Sequence, residues 1–345
     1  MPVFDAIYRP WYYCIVMSGG QAVYNKIILP VRPQPDTIVA IFILKIFGSK
    51  QFSGIENARV EIWPIVPKEK SAEEFENEGH ILIDTGGGRF DHHNKEHQIT
   101  ASQLVVDFLE INDDPTLTKL LEYAKRDDFF GKGTISSDPI DRAFGLSALI
   151  AALNKSYPDN PNFVVNTILP IIAAHYNEEK RRFEEFPNEL EQKKLEGKVV
   201  EFAAKQRDKK LKIIMIESDN IGMPGYLRSQ IGGRFDVVVQ RREAGFVNIL
   251  TRPTKRIDLR SLVALIRVRE AEHAGIGLSS KLFDLIQSGR ISEVNNWYYD
   301  TATNSILNGG STPTPDIEPT KISWDELAQV VDLGLSEKFF DPRHV

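Results

Sequence analysis

Apolar runs and helical periodicities alternate along the start of this chain in the order of a β-α-β sequence. Lys26 to Val31 is an apolar, β-branched run that predicts a strand. The loop Arg32-Pro33-Gln34-Pro35 then leads through Asp36-Thr37 into the helical run Ile38 to Phe47. Ala58 to Val66 is a second strand candidate, weakened by Pro64, and Ser71 to Glu78 reads as an acidic surface segment. His80 to Ile83 reads as a buried strand, broken by the glycines that follow. Further on, Thr100 and Gln103 form a capping box before the apolar spacing Leu104, Val105, Phe108, Leu109. A helix is predicted from Asp114-Pro115 to Arg126, ending at Asp127-Asp128, and another from Asp138-Pro139 to Leu153. Asn162 to about Lys205 reads as largely helical, with interruptions near Pro170 and Pro187.

After Asp208 the pattern shifts to short strands at Leu211 to Ile216, Phe235 to Gln240 and Phe246 to Thr251, the last two joined as a hairpin through Gly245. Helices are predicted from Asp258 to His273, from Ser280 to Gln287 and from Trp324, the last preceded by an irregular loop containing Pro313, Pro315 and Pro319. The expected fold is α/β, a mostly parallel sheet with flanking helices over residues 1–205, followed by a smaller α+β domain over 206–345. At 345 residues, about two domains is the ordinary partition.

One stretch carries most of the candidate chemistry. Ile81 to Asn94 reads I-L-I-D-T-G-G-G-R-F-D-H-H-N, with two carboxylates, two adjacent imidazoles and three glycines. Asp84 falls at the carboxyl end of a predicted strand, where open α/β sheets place their ligands. Gly86, Gly87 and Gly88 permit positive φ and a close backbone approach to a ligand. Asp91, His92 and His93 re-enter the same neighbourhood, and mixed oxygen and imidazole donors suit Mn²⁺ or Fe²⁺, with Zn²⁺ less favoured because the one cysteine, Cys14, is remote. The plainer reading is that Asp84 caps a turn beside a partly exposed histidine loop. Asp36 likewise reads as the N-cap of its own helix. Asp127 and Asp128 end a helix where the carbonyl dipole already disfavours negative charge, which a nearby cation would relieve, unless both are solvated.

Composition narrows the setting. Hydrophobic residues make up 42% and charged residues 26%, as in ordinary globular chains. A single cysteine precludes an intramolecular disulfide, and no apolar run approaches membrane-spanning length, so the expected location is the cytoplasm with no membrane partner. Met17 is an alternative start to Met1. The net charge of -6 speaks against nucleic acid binding by the whole surface. Arg207 to Glu270 reverses that sign, with 14 Lys and Arg against 7 Asp and Glu, a net of +7. Such a local reversal is either a solvated basic face or a grip for a phosphate-rich ligand. No repeat, low-complexity tract or Walker-type loop is present.

The order strand-loop-Asp36, strand-Asp84-Gly, Asp91-His92-His93 and an acid after a helix resembles the DHH phosphoesterase superfamily, most of all its melanocyte-proliferating-gene family of metal-dependent hydrolases. The resemblance covers roughly the first 130 residues. The superfamily's first motif commonly reads His-x-x-Pro-Asp-x-Asp; here Arg32 stands for the His and Ile38 for the second Asp, while Pro35-Asp36 is kept. The resemblance implies that Asp84 bridges two metals, that Asp36 holds the first, and that His92 and Asp127 complete the second. It implies catalytic roles for Asp91 and His93, with His93 facing substrate phosphate and Arg32 as a phosphate clamp. The implied activity is phosphodiester hydrolysis on short oligonucleotides or nucleotides with Mn²⁺, or another divalent ion such as Mg²⁺, Fe²⁺ or Zn²⁺. The partner would be a phosphorylated small molecule or short single-stranded nucleic acid, gripped by Arg228, Arg241, Arg252 and Arg256, and an oligomer is compatible with this. The superfamily's Gly-Gly-Gly-His signature is reduced to Gly232-Gly233-Arg234. The alternative is a catalytically silent relative that binds one metal or a phosphorylated ligand as a sensor or interaction module.

Overall fold

The computed structural model describes residues 23–93, 98–131, 133–278, 281–310 and 315–336. Cys14, Met17, Asn94 and Pro313 lie outside the described residues. The chain divides into two compact units, Met1–Lys180 and Arg181–Val345.

The first unit opens with β1 (Lys26–Leu29), α1 (Pro35–Phe47), β2 (Arg59–Ile62), α2 (Ala72–Asn77) and β3 (His80–Leu82). The three strands form a wholly parallel sheet in the order β2-β1-β3, with Lys26 opposite Arg59 on one side and His80 on the other. Helices α3 (Ala101–Leu109), α4 (Thr118–Phe130), α5 (Pro139–Ala143), α6 (Leu146–Ser156) and α7 (Pro161–Lys180) follow. Strand alternation assigns the two faces. Ile27, Leu29, Ile81 and Ile83 join α1, α3, α4 and α7 in the main core, whereas Ile28 and Leu82 meet Phe75 of α2 on the opposite face. A sheet covered on both faces needs apolar residues at successive positions, which is why these strands read as unbroken apolar runs. After β2 the chain crosses to the far side of β1, so the order reverses between β1 and β3. Ligands in open α/β sheets lodge at the carboxyl ends of the strands flanking such a reversal.

Helix α1 is the central support of this unit. Ile38 to Leu44 are all almost fully buried, so the helix has no polar face. Ile38, where the resemblance has a second acid, is completely buried in the main core, and a carboxylate there would be an unpaired buried charge.

Several boundaries differ from the sequence pattern. The acidic segment Ser71 to Glu78 holds helix α2 (Ala72–Asn77), started by a reciprocal Ser71/Glu74 capping box. Helix α4 runs past the two acids to Phe130 and stops at Gly131 with φ 64°. The segment predicted as one helix from Asp138 splits into α5 and α6 at Phe144-Gly145. Helix α7 continues through Pro170, held by its buried face of Val164, Val165, Ile168 and Ile172, because tertiary packing outweighs local propensity.

The expected boundary at residue 205 would cut through a strand. After a π turn at Arg181–Glu185, α8 (Phe186–Leu195) leads into β4 (Val199–Gln206), which pairs antiparallel with β5 (Lys209–Glu217) along its whole length. The second unit continues with α9 (Met223–Arg228), β6 (Val237–Arg241), β7 (Val247–Thr251), α10 (Arg260–Ala274), α11 (Leu282–Leu285), β8 (Tyr298–Asp300), β9 (Ser305–Leu307) and α12 (Trp324–Leu335). Its six-stranded sheet has the order β4-β5-β6-β7-β9-β8, with only β5 and β6 parallel. Val237, Val239, Val247, Ile249 and Ile306 pack under α10 and α12 on one face. The expected α+β character is therefore present, although this sheet has twice the strands of the first. Among the described residues no helix is long and apolar enough to cross a membrane.

Candidate metal centre

The loop after β3 folds around the Asp91 carboxylate. Gly86 and Gly87 take φ of 72° and 68°, and a Cβ on Gly86 would meet Leu82 at 2.5 Å. This tight turn lets the Gly87 amide donate to Asp91 Oδ2 at 2.8 Å and the His93 amide donate to Asp91 Oδ1 at 3.1 Å. The Asp84 amide donates to Phe90 O at 3.0 Å and closes the loop. Burial opposes the charge on Asp91, yet the Gly87 and His93 amides and the His93 ring hold its carboxyl below the usual range. An ionised carboxylate only accepts, so the His93 Nδ1 lying 2.9 Å from Asp91 Oδ1 carries the proton. His93 therefore presents its Nε2 outward, with the side chain 62% exposed. Asp91 and His93, predicted as catalytic, form one unit in which the acid sets the tautomer of the base.

Asp84, His92 and His93 each place a ligand atom within 4.8 Å of the others. Asp84 itself has φ 55°, the left-handed region that a non-glycine residue enters at a cost of roughly 1 kcal/mol. His92 Nε2 lies 2.8 Å and His93 Nδ1 3.3 Å from Asp84 Oδ1. Even so, Oδ1 is buried and has no hydrogen-bond partner among the described residues. Two donors each about 2.1 Å from one ion and at right angles stand about 3 Å apart, so the His92–Asp84 separation is that of two ligands sharing a cation. An orphaned buried carboxylate oxygen beside an imidazole nitrogen fits a divalent metal.

The electrostatics agree. Burial pushes the Asp84 carboxyl up to about 6, and Asp36 and Asp91 push the same way against His92 and His93. Burial also raises Asp127 and Asp128, and Asp36 adds to both. Buried carboxylates that raise one another's pKa are a site short of positive charge. Metal binding here must displace protons, so the affinity for Mn²⁺ should weaken about tenfold per unit of pH below 6 and level off above about 7. Calorimetry across pH 5 to 8 checks this, and a flat affinity would mean that Asp84 is not a ligand.

Two predicted ligands stand differently from expectation. Asp36 does not cap its own helix. That start belongs to Gln34 and Thr37, with the Gln34 amide donating to Thr37 Oγ1 at 3.0 Å. The Asp36 carboxylate instead caps α3, its Oδ2 accepting from the Ala101 amide at 2.7 Å and its Oδ1 from the Ser102 amide at 3.0 Å and the Ser102 hydroxyl at 2.5 Å. Of roughly four lone-pair positions on a carboxylate, three are taken. Asp127 is engaged by Ser147 and the Gly133 amide, while Asp128 Oδ2 lies 4.0 Å from His92 Nδ1. Successive residues on a helix point about 100° apart, so only one of the pair can face the histidine. The pair was visible in the sequence, but the choice required the phase of α4.

Arg32, predicted as a phosphate clamp, lines a cavity of about 780 Å³ in this unit together with Asp127, Thr134, Arg142, Ser147, Asn154 and Lys155. Arg142 and Lys155 carried no sequence signal. Arg32, Arg142 and Lys155 have no carboxylate partner among the described residues.

The four arginines predicted to grip substrate do not all line one cavity. Arg252 is spent on Asp236 at 2.7 Å, with Lys255 also near that acid. Arg241 follows Gln240 on β6, and strand alternation turns it to the face opposite the cavity that Gln240 lines. Arg228 and Arg256 do line that second-unit cavity, with Arg242. One member of the basic segment is structural in another way, since fully buried Arg267 donates to the carbonyls of Leu285, Gln287 and Gly289.

No family model matches the chain, and no curated protein matches it. Among solved structures, the chain is similar to an uncharacterized protein from Helicobacter pylori G27, with 10% identity over 90% of this chain and 98% of that chain and a TM-score of 0.25. It is also similar to the DHH domain of a protein described as belonging to a family of ribosomal proteins, with 13% identity over 82% of each chain and a TM-score of 0.26. Likeness this distant carries no argument about activity, which rests on the site.

Proposed function

We propose that the first unit is a metal-dependent phosphoester hydrolase of the DHH type, using Mn²⁺ with Asp84 and His92 as ligands, Asp128 beside them, and short oligonucleotides or nucleotides as substrates. The observation that carries this reading is the buried, unsatisfied Asp84 Oδ1 facing His92 at the carboxyl end of β3. A bound divalent ion supplies a water of lowered pKa and neutralises charge on the phosphoryl oxygens. The protein's own part is to position groups. Asp91 fixes His93 with Nε2 free to exchange a proton with the leaving or attacking oxygen. Arg32, Arg142 and Lys155 supply donors for substrate oxygens in the adjoining cavity, which Asp127 also lines.

The test is phosphate or nucleotide release by the Mn²⁺-loaded protein from short oligonucleotides, cyclic dinucleotides and pyrophosphate, with a chelated control. Arg142→Gln should raise KM about tenfold with kcat nearly unchanged, the loss expected for one charged hydrogen bond made equally in ground and transition states. No release from any of these substrates at any Mn²⁺ concentration would refute the hydrolase.

A second reading has its own support. With Ile38 in the core and Asp36 committed to α3, the donors suffice for one ion more readily than two. A silent module would bind a single Mn²⁺ per chain and release nothing, so metal stoichiometry measured beside turnover separates the two.

A further inference from the structure

We infer that the second unit pairs with a second copy of this chain along the free edge of β4, joining two six-stranded sheets across a two-fold axis. The two edges of that sheet differ. Strand β8 is three residues long and is covered, with the Gly289 amide donating to Tyr299 O at 2.8 Å and the Tyr299 amide donating to Gly289 O at 3.0 Å. Strand β4 is eight residues long, contains no proline and pairs with β5 along its whole length without a bulge. Among the described residues no strand lies on its other side. Natural sheets shorten, kink or cover such an edge, because an open row of amides and carbonyls recruits another strand.

The phase of β4 is set at its start, where the Lys198 carbonyl accepts from the Glu217 amide at 3.0 Å. Bonding alternates along an antiparallel ladder, so Val200, Phe202, Ala204 and Gln206 spend their backbone groups on β5, whereas Glu201, Ala203 and Lys205 turn theirs outward. The side chains of those three are exposed, while Val200, Phe202 and Ala204 pack on the core under α10 and α12. An antiparallel pairing of β4 with its own copy, centred on Ala203, uses the outward groups of all three. It sets Glu201 opposite the partner's Lys205 and Lys205 opposite the partner's Glu201, with about six backbone hydrogen bonds along the seam. On the other face Phe202 falls opposite the partner's Ala204, bulk against small. Centring the pair on Glu201 or on Lys205 instead puts like charges directly opposite, which is destabilising. Centring it on Phe202 puts the two phenylalanines together and leaves both charges unmatched. The spacing of one acid and one base along the edge therefore favours the Ala203 register, and the complementary surface is this strand itself. Lys194 already lies 3.7 Å from Glu201, in a half-exposed contact that the partner's Lys205 can share.

The experiment is sedimentation equilibrium of the full chain across a range of concentrations at low ionic strength. Wild type should associate to a dimer. Glu201→Lys and Lys205→Glu each make both cross-seam pairs repulsive and should raise the dimer dissociation constant about tenfold. Circular dichroism should not change, since both side chains are exposed on the free edge. Glu201→Lys combined with Lys205→Glu in one chain should restore wild-type dimerisation. Mixing the two single variants should give a heterodimer at least as tight as the wild-type dimer, because opposite charges then meet at both pairs. A wild-type chain that stays monomeric even at millimolar concentration would overturn the assignment. So would a dimer that neither single reversal weakens, or a failure of both the combined variant and the mixture to recover association. The measurement needs neither metal nor substrate, so its outcome is independent of the hydrolase reading.

Discussion

Asp84→Asn protein should fold as well as wild type and bind Mn²⁺ at least about 100-fold more weakly, since even the loss of a supporting contact at a metal site costs 10 to 100-fold. The exchange keeps the side-chain volume. Asparagine also accepts the left-handed conformation that Asp84 adopts at φ 55° more readily than most residues, so the turn after β3 is retained. What is lost is the charge on an oxygen that no hydrogen bond from the described residues satisfies. The metal-free variant should be the more stable protein at pH 8. The folded-state pKa of Asp84 is raised, by burial first, to about 6 from an ordinary 3.8. The charged form is therefore disfavoured by folding, and that destabilisation grows as pH rises through the interval between the two values and is complete above about 6. The stability advantage of Asn should accordingly vanish near pH 4. Calorimetry with Mn²⁺ and thermal melts at both pH values check the pair of effects. Undiminished Mn²⁺ affinity would remove Asp84 from the centre.

The legibility of this site in the sequence follows from how local each feature is. The turn from Asp84 to His93 was readable because its glycines, acids and imidazoles interact within ten positions, and Asp91 reaches Gly87 and His93 through short-range hydrogen bonds. The β-α-β start was readable because a sheet covered on both faces leaves unbroken apolar runs. Asp36 was readable as a special residue but not in its role, because its partners Ala101 and Ser102 lie 65 and 66 positions on. Asp128 and Arg142 depended on where α4 and α5 point, which periodicity alone does not phase against a distant loop. Strand β4 was lost to a run of Glu, Lys and Ala that favours helix. It is a strand because β5 offers a complete antiparallel ladder from Val199–Ile216 to Gln206–Lys209, and pairing overrides propensity. The three-residue strands β8 and β9 carry too little pattern to show at all.

Asp36→Ala is expected to give the largest loss of stability of any single change at the centre, about 3 to 5 kcal/mol, because it leaves two buried amides and a hydroxyl without their charged acceptor. The melting transition of the first unit should fall by about 10 °C, given 2 to 4 °C per kcal/mol for a unit of this size. The three bonds join the β1–α1 turn to the start of α3, so they fix the loop that carries His92 and His93 between those elements. A graded series isolates this role. Ser102→Ala removes only the hydroxyl bond and should cost about 1 kcal/mol. Asp36→Asn keeps one acceptor but turns an N–H toward an amide donor, and should fall between the two. In each variant that remains folded, Mn²⁺ affinity should fall by about tenfold, the low end of the 10 to 100-fold range for a supporting contact and less than in Asp84→Asn, since a positioning contact and not a ligand has been removed. If Asp36 were instead a ligand, its affinity loss would match that of Asp84→Asn while Ser102→Ala left binding unchanged. The ratio of stability loss to affinity loss across the series therefore decides whether the carboxyl end of β1 holds the metal or holds the loop that does.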